Sequence, residues 1–251
     1  MSKQTDTPKV TARVECGECP IRYRAVCARS NEEELARLND MKTYETYEAG
    51  APIIWAGDPI TFLGSIVSGT ATLSQTLEDG RRQMVGLLLP SDFIGRPGRD
   101  TAQFDVTAAS DVMICRFRKA DFEGLINSSP AISQRLLNMM MDDLDAAREW
   151  MLILGRKTAR EKIASFFAIV ARRQAALKKH DASGQITFDL PVTREAMSDY
   201  LGLTLETVSR QVSALRKDGV IEMSGLRRVM VPDFAALLDE TGDDSDGTLP
   251  A

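Results

Sequence analysis

No apolar run in these 251 residues approaches the roughly 20 that cross a bilayer, and the polar opening MSKQTDTPK carries no charged-then-apolar leader pattern. Neither a membrane protein nor a secreted one is expected, and the chain is assigned to the cytoplasm. Histidine is nearly missing: His180 is the only one, and it follows Lys178 and Lys179 in a polar stretch that reads as surface. No acid paired with a base and no nucleophile beside a base can be assembled, so an enzyme is not expected either. Cysteine is scarce as well. Cys16, Cys19 and Cys27 crowd the front of the chain in ECGECPIRYRAVC, and the fourth and last, Cys115, stands alone far downstream. Thiols in a reducing compartment serve as metal ligands or stay free rather than pairing as disulfides.

What remains is the composition of an ordinary soluble globule, 43% apolar and 27% charged, with a length that suits one or two domains. The net charge of -5 argues by itself against nucleic acid, but the charge is uneven. Between Arg156 and Lys179 stand eight basic residues against the single acid Glu161, whereas Asp233 and the residues beyond it supply six acids and no Lys or Arg. An acidic tail thus conceals a basic patch from the whole-chain sum. The plainer alternative is a solvated helix face followed by a solubilising tail.

From Thr43 to about Arg116, short apolar runs are punctuated by glycine, as in PIIWAG, TFLGSIVSG and VTAASDVMICRF. Two alternating segments flank the turn residues Glu78-Asp79-Gly80-Arg81, the pattern of a hairpin, and the number of such runs suggests a sandwich, jelly roll or barrel. Around Pro130 the period lengthens to about 3.5. Leu137, Met140, Leu144, Ala147, Met151 and Leu154 follow alternating spacings of three and four, the seam of a coiled coil. Leu136, Met139, Ala146, Trp150 and Ile153 form a second stripe. Two stripes imply two partners, one the β-domain and the other the same helix of a second subunit, unless both faces are buried within one chain. The basic segment that follows, with Ile163, Phe166, Phe167 and Val170 at helical spacing, is a further helix.

Thr193 can cap a helix whose inner face is Ala196, Met197, Tyr200 and Leu201; Gly202 supplies a turn, and Thr204 caps a second helix running to Lys217. Behind it VIEMSGLRRVMV alternates and turns at Ser224-Gly225, a hairpin wing. Glu206, Ser209 and Arg210 project together from the second helix, where Arg can donate to guanine O6 and N7 and a carboxylate can accept from cytosine N4. An i,i+4 salt bridge between Glu206 and Arg210 is the alternative.

From about Cys16 to Phe234 the chain resembles the CRP/FNR superfamily of bacterial transcription regulators, and within it the oxygen-responsive FNR type of the alphaproteobacteria. The resemblance rests on the cysteine cluster, the β-roll ending in LLLPSDFIGRPG, the long helix and DYLGLTLETVSRQVSALRKDGVI, whose Glu206-Thr207-Val208-Ser209-Arg210 fits the E-x-x-S-R of FNR-type proteins. It implies a homodimer on double-stranded DNA similar to TTGAT-N4-ATCAA, with Glu206, Ser209 and Arg210 touching bases and the Glu78 to Arg82 hairpin touching RNA polymerase. Cyclic-nucleotide-binding relatives carry a Glu just after FIG and an Arg-Ser ten residues later. Arg96, Val106 and Thr107 stand there in this chain, so no cyclic nucleotide is expected.

On spacing alone, C-x2-C-x7-C with a distant fourth Cys does not separate zinc, an iron-sulfur cluster or no metal. The resemblance implies a 4Fe-4S cluster held by Cys16, Cys19, Cys27 and Cys115, although the Cys19 to Cys27 interval is longer than in the best-known members. Arg22 and Arg24 lie in the loop as nearby cations, and Ile21, Tyr23 and Val26 can restrict water. In the expected mechanism the intact cluster ties the loop to the β-roll and favours helix pairing, against repulsion among Asp142, Asp143 and Asp145. A regulator dependent on zinc or free thiols, without oxygen sensing, is the alternative. The fold expected is α+β: an N-terminal loop and jelly-roll-like β-roll sensory domain over 1–129, a dimerisation helix over 130–157, a C-terminal winged helix-turn-helix over 158–234 and a disordered acidic tail over 235–251.

Overall fold

The computed structural model describes residues 9–10, 14–80 and 82–243. They form two compact units that divide after Met139, inside one helix. In the first unit the elements run β1 (Lys9–Val10), a 3-10 turn (Cys16–Glu18), α1 (Glu32–Met41), β2 (Lys42–Tyr47), β3 (Pro52–Ile54), β4 (Phe62–Ser68), β5 (Ala71–Thr76), β6 (Arg82–Leu88), β7 (Phe93–Ile94), β8 (Asp105–Ala108), β9 (Val112–Arg118), α2 (Lys119–Ser128) and the start of α3 (Pro130–Arg156). All pairings are antiparallel, in one sheet of order β1-β2-β9-β4-β7 and another of order β3-β8-β5-β6. The core between them holds Phe62, Ile66, Ala71, Ile94, Val106, Ala108, Val112 and Ile114.

Side chains alternate along a strand, so the residues between those inward ones share the opposite face. Register makes that face explicit: Tyr44 of β2 and Ser65 of β4 both stand opposite Cys115 of β9, and Lys42 and Leu63 both stand opposite Phe117. This second face is also covered, which is why β4 is buried at every position but its last. Gly64 permits the close β4–β9 approach, because a Cβ there would lie 2.5 Å from the Cys115 carbonyl oxygen. Over this face lie the N-terminal loop and α1, a helix opened by a capping box between Asn31 and Glu34 and presenting the fully buried Leu38.

Helix α3 has 27 residues, about 40 Å at 1.5 Å each. Of the expected seam, Leu137, Leu144, Ala147 and Met151 are exposed, Met151 by 72%, while Met140 and Leu154 are half-buried; Met141 and Leu152 are exposed beside them. The second stripe differs from expectation, because its two ends pack in different units. Leu136 and Met139 are buried in the first unit. In the second, Ile153 is buried, the Trp150 ring stacks on Tyr200 at 3.9 Å, and Ala146 between these ends is exposed.

The second unit continues with α4 (Ala159–Leu177), β10 (Ile186–Asp189), α5 (Arg194–Leu201), α6 (Leu205–Lys217), β11 (Glu222–Ser224), β12 (Arg228–Val231) and α7 (Phe234–Asp239). Its three-stranded sheet has the order β10-β12-β11. The disordered tail expected from residue 235 is corrected for 235–243. Phe234 and Leu237 are buried, and the acids that follow find cations on α4 and beside it: Glu240 pairs with Arg160 at 2.6 Å and Asp243 with Lys157 at 2.6 Å. Residues 244–251 lie outside those described. The same pairs correct the basic patch, since Lys157 and Arg160 neutralise acids of their own unit instead of facing outward as a free stripe; Arg160 also reaches Asp218 at 2.8 Å.

Candidate functional site

The covered sheet face and the loop above it enclose a cavity of about 20 Å³ whose lining includes Cys16, Cys19, Cys27 and Cys115. Three of these thiols are half-buried and Cys115 is buried, and all four are free of disulfides. Ile21, Ala25, Val26, Leu38, Tyr44, Ser65 and Phe117 complete the wall. Tyr23, expected to exclude water here, is 67% exposed, and Ile21 and Val26 do the covering. Among the described residues no group of three or more His, Cys, Asp and Glu could hold a single metal ion, so the thiols share a wall without closing on one point.

Local bonds shape the loop. Arg22 lies inside it and donates from Nη1 to the carbonyls of Cys27 (2.8 Å) and Ala28 (3.2 Å) and from Nη2 to that of Ser30 (3.4 Å), closing the seven-residue interval into a tight turn. Arg135, on the first part of α3, donates from Nε to the Ala25 carbonyl at 3.3 Å and from Nη2 to the Arg24 carbonyl. Lys42 Nζ donates to Cys16 Sγ at 3.3 Å and to Asn39 Oδ1, whose oxygen also accepts from the Cys16 backbone N–H at 3.4 Å. Tyr44 donates its hydroxyl to the Val14 carbonyl at 3.2 Å.

Electrostatics follow from the dry wall. Desolvation pushes the Cys27 thiol up to about 11, against the lowering pull of Arg22. Burial, and then the neighbouring thiols, raise Cys115 well above the ordinary cysteine range, and the same causes raise Tyr44. Burial thus favours the neutral thiols of Cys27 and Cys115, and a metal centre that binds these two must release their protons.

The second candidate surface is α6. Its buried side, Val208, Val212 and Leu215, fixes its rotation. Glu206 and Arg210 are exposed on the opposite side with Ser209 half-buried between them. Among the described residues neither Glu206 nor Arg210 has an ion-pair partner, so the alternative salt bridge between them is not formed. Thr204 caps α6 by accepting from the Thr207 N–H at 3.2 Å, and Thr193 caps α5 from Ala196 at 3.2 Å. Gly202 turns the chain between them with a φ of 62°, a left-handed value that favours glycine. The wing turns at Gly225, and Leu226 and Arg227 stand exposed at its tip.

Sequence reasoning missed Lys42, Ser65 and Arg135. Their only linear signals are a Lys closing an acidic helix, a Ser inside an apolar strand and a basic residue on a long helix, none of which points to a cysteine loop.

Comparison with known proteins finds two matching family models: a Crp-like helix-turn-helix domain over residues 161–240 and a cyclic nucleotide-binding domain over 44–129. Within the latter, Val106 is part of the inter-sheet core. The chain is 65% identical over 235 residues to the transcriptional activator protein FnrL of Cereibacter sphaeroides, covering 94% of this chain and 95% of that protein. It is 35% identical over 206 residues to the nitrogen fixation regulation protein FixK of Bradyrhizobium diazoefficiens, covering 82% and 85%. The solved structure of FixK2 from Bradyrhizobium japonicum aligns with a TM-score of 0.72 at 29% identity, over 80% of this chain and 98% of that one.

Proposed function

We propose, on the premise that this chain belongs to the CRP/FNR superfamily as an FNR-type transcription regulator, that it is an oxygen-responsive activator that binds DNA as a homodimer while Cys16, Cys19, Cys27 and Cys115 hold a 4Fe-4S cluster. The observation that carries this reading is the shared cavity, in which all four cysteines of the chain line one apolar wall. The donor set suits such a group: four thiols, little water, and two cations, Arg22 and Lys42, within the loop and at its edge. Ser65 lines the same cavity, its buried hydroxyl without a partner among the described residues. The present volume is that of about one water, so the wall has to widen to take the cluster.

When bound, the cluster supplies an oxygen-labile centre. The chain's own residues do the rest. The thiols lose protons and tie the loop to β9; Arg135 then holds the Arg24 and Ala25 carbonyls against α3. The exposed stripe of Leu137, Leu144, Ala147 and Met151, with the half-buried Met140 and Leu154, pairs with its copy on a second subunit. Asp142, Asp143 and Asp145 oppose that pairing, with the share of Asp145 reduced by its partner Arg148 at 3.0 Å. Two α6 helices about 34 Å apart then reach adjacent major grooves of a palindrome similar to TTGAT-N4-ATCAA, with Glu206, Ser209 and Arg210 at the bases. The exposed turn around Glu78 and Asp79 offers a surface to RNA polymerase, and no cyclic nucleotide is required.

Anaerobic purification followed by absorption spectroscopy and metal analysis tests the reading. A brown protein with four iron and four sulfide per chain that bleaches in air is expected. A colourless protein carrying one zinc that binds operator DNA equally in air overturns it and favours a regulator without oxygen sensing.

A further inference from the structure

Two donors stand beside the four thiols, Ser65 on the cavity wall and Lys42 against Cys16 at its edge. Ser65, in the middle of β4, lies across from Cys115 and is only 2% exposed. It lines the cavity, and among the described residues its Oγ has no hydrogen-bond partner. Buried hydroxyls in folded proteins nearly always find an acceptor, so an orphan on a cavity wall points to an acceptor that enters the cavity. Lys42 approaches from β2, on the same sheet face. It is 8% exposed, its Nζ meets Cys16 Sγ at 3.3 Å and Asn39 Oδ1, and among the described residues no carboxylate pairs with it. A buried ammonium without a counter-ion is unfavourable, and an oxidised 4Fe-4S core in four thiolates carries about -2.

We propose that Lys42 and Ser65 are positioning residues of the cluster, Lys42 its buried counter-cation at the Cys16 end and Ser65 its hydroxyl donor at the Cys115 end. The proposal rests on the four-thiolate reading and adds to it the groups that balance the charge. Hydrogen bonds to sulfur and a nearby cation favour the more electron-rich state of an iron-sulfur centre, so both residues hold the midpoint potential up. They also hold the loaded state against loss of iron, Lys42 more strongly because it brings a full charge.

The test is an anaerobic redox titration of the full-length protein after reconstitution with iron and sulfide, with iron and acid-labile sulfide counted per chain. It is run on the wild type, Ser65→Ala, Lys42→Met and Lys42→Arg. A wild type that does not take up four iron overturns the cluster reading itself, whatever these two residues do. Given a loaded wild type, Ser65→Ala is expected to bind the same iron at a more negative midpoint. Lys42→Met is expected to be more negative still and to lose iron to a chelator several-fold faster. Lys42→Arg, which keeps the charge, returns both values toward wild type. Wild-type midpoints and chelation rates in both Ser65→Ala and Lys42→Met overturn the proposal, as does a Lys42→Arg variant that behaves like Lys42→Met. If Lys42→Met fails to load, the midpoint of Ser65→Ala decides.

Discussion

Arg210 and Gly64 show how much can depend on a single side chain, one by what it offers and the other by what it leaves out. The guanidinium of Arg210 is exposed and has no partner among the described residues, so replacing it leaves the fold alone. Arg210→Ala is expected to cost about 1–3 kcal/mol of DNA affinity and to relax base choice at one position, which fluorescence anisotropy on an operator and its single-base variants measures. An equal loss on every sequence marks a phosphate contact instead. Gly64→Ala drives a Cβ to 2.5 Å from the Cys115 carbonyl oxygen. It should lower stability by about 1–3 kcal/mol in denaturant titrations and impair iron uptake, because β9 carries Cys115 and must move. At this scale legibility was uneven. That Glu206 and Arg210 share the exposed side of α6 was readable because a helix sets the neighbours of each residue from spacing alone. Lys42 and Arg135 were not, since their partners lie 26 and 110 residues away and only the folded sheet and helix bring them together.

The elements were legible where local chemistry decides them. Thr193, Gly202 and Thr204 mark the boundaries of α5 and α6 because capping and left-handed turns need only neighbouring residues. Helix α3 was legible in length but not in its partners: its second stripe divides between two units, which periodicity does not encode. Through Arg135 this helix also grips the cysteine loop, so Arg135→Gln should load iron normally yet dimerise about ten- to a hundredfold more weakly by analytical ultracentrifugation, given that hydrogen bonds from a charged group contribute about 1.5–3 kcal/mol. Loss of iron along with the dimer points to a role in shaping the loop alone. Helix α7 and residues 240–243 were misread as tail, because an acid-rich end looks alike whether its charges meet water or Arg160. The hydrogen bonds from Arg160 hold the Glu240 carboxyl below the ordinary value of 4.5. A depressed folded value means that the contribution of Glu240 is present above the unfolded pKa and is lost as pH falls through the folded one. Thermal melts between pH 7 and pH 3 should therefore show a larger fall for the wild type than for Glu240→Gln.

For the whole molecule, the net charge of -5 conceals how the charges are used. Two cations of the basic segment, Lys157 and Arg160, are paired within the second unit, and the exposed Arg216, Lys217 and Arg227 of α6 and the wing are available to phosphate. Affinity should still fall steeply with salt. Six or more neutralised phosphates per dimer predict a loss of about 10³-fold between 50 and 200 mM, read from the slope of log affinity against log salt. A slope near zero removes DNA from the picture. The sensory and reading halves were visible in the sequence as a change of hydrophobic period near Pro130. The meeting of four thiols was expected only through the family resemblance, because the spacing C-x2-C-x7-C fits several metals or none, and Cys115 by itself reads as a small core residue.

Arg160 fastens three elements at one point, joining α4 to the C-cap of α6 through Asp218 and to that of α7 through Glu240. The orientation of the recognition helix is thereby linked to residues far from any base. Cleavage or a bulky fusion just before Glu240 should slacken that helix and blunt operator discrimination while sparing the cysteine cavity, so an affinity handle belongs at the amino terminus or beyond residue 243.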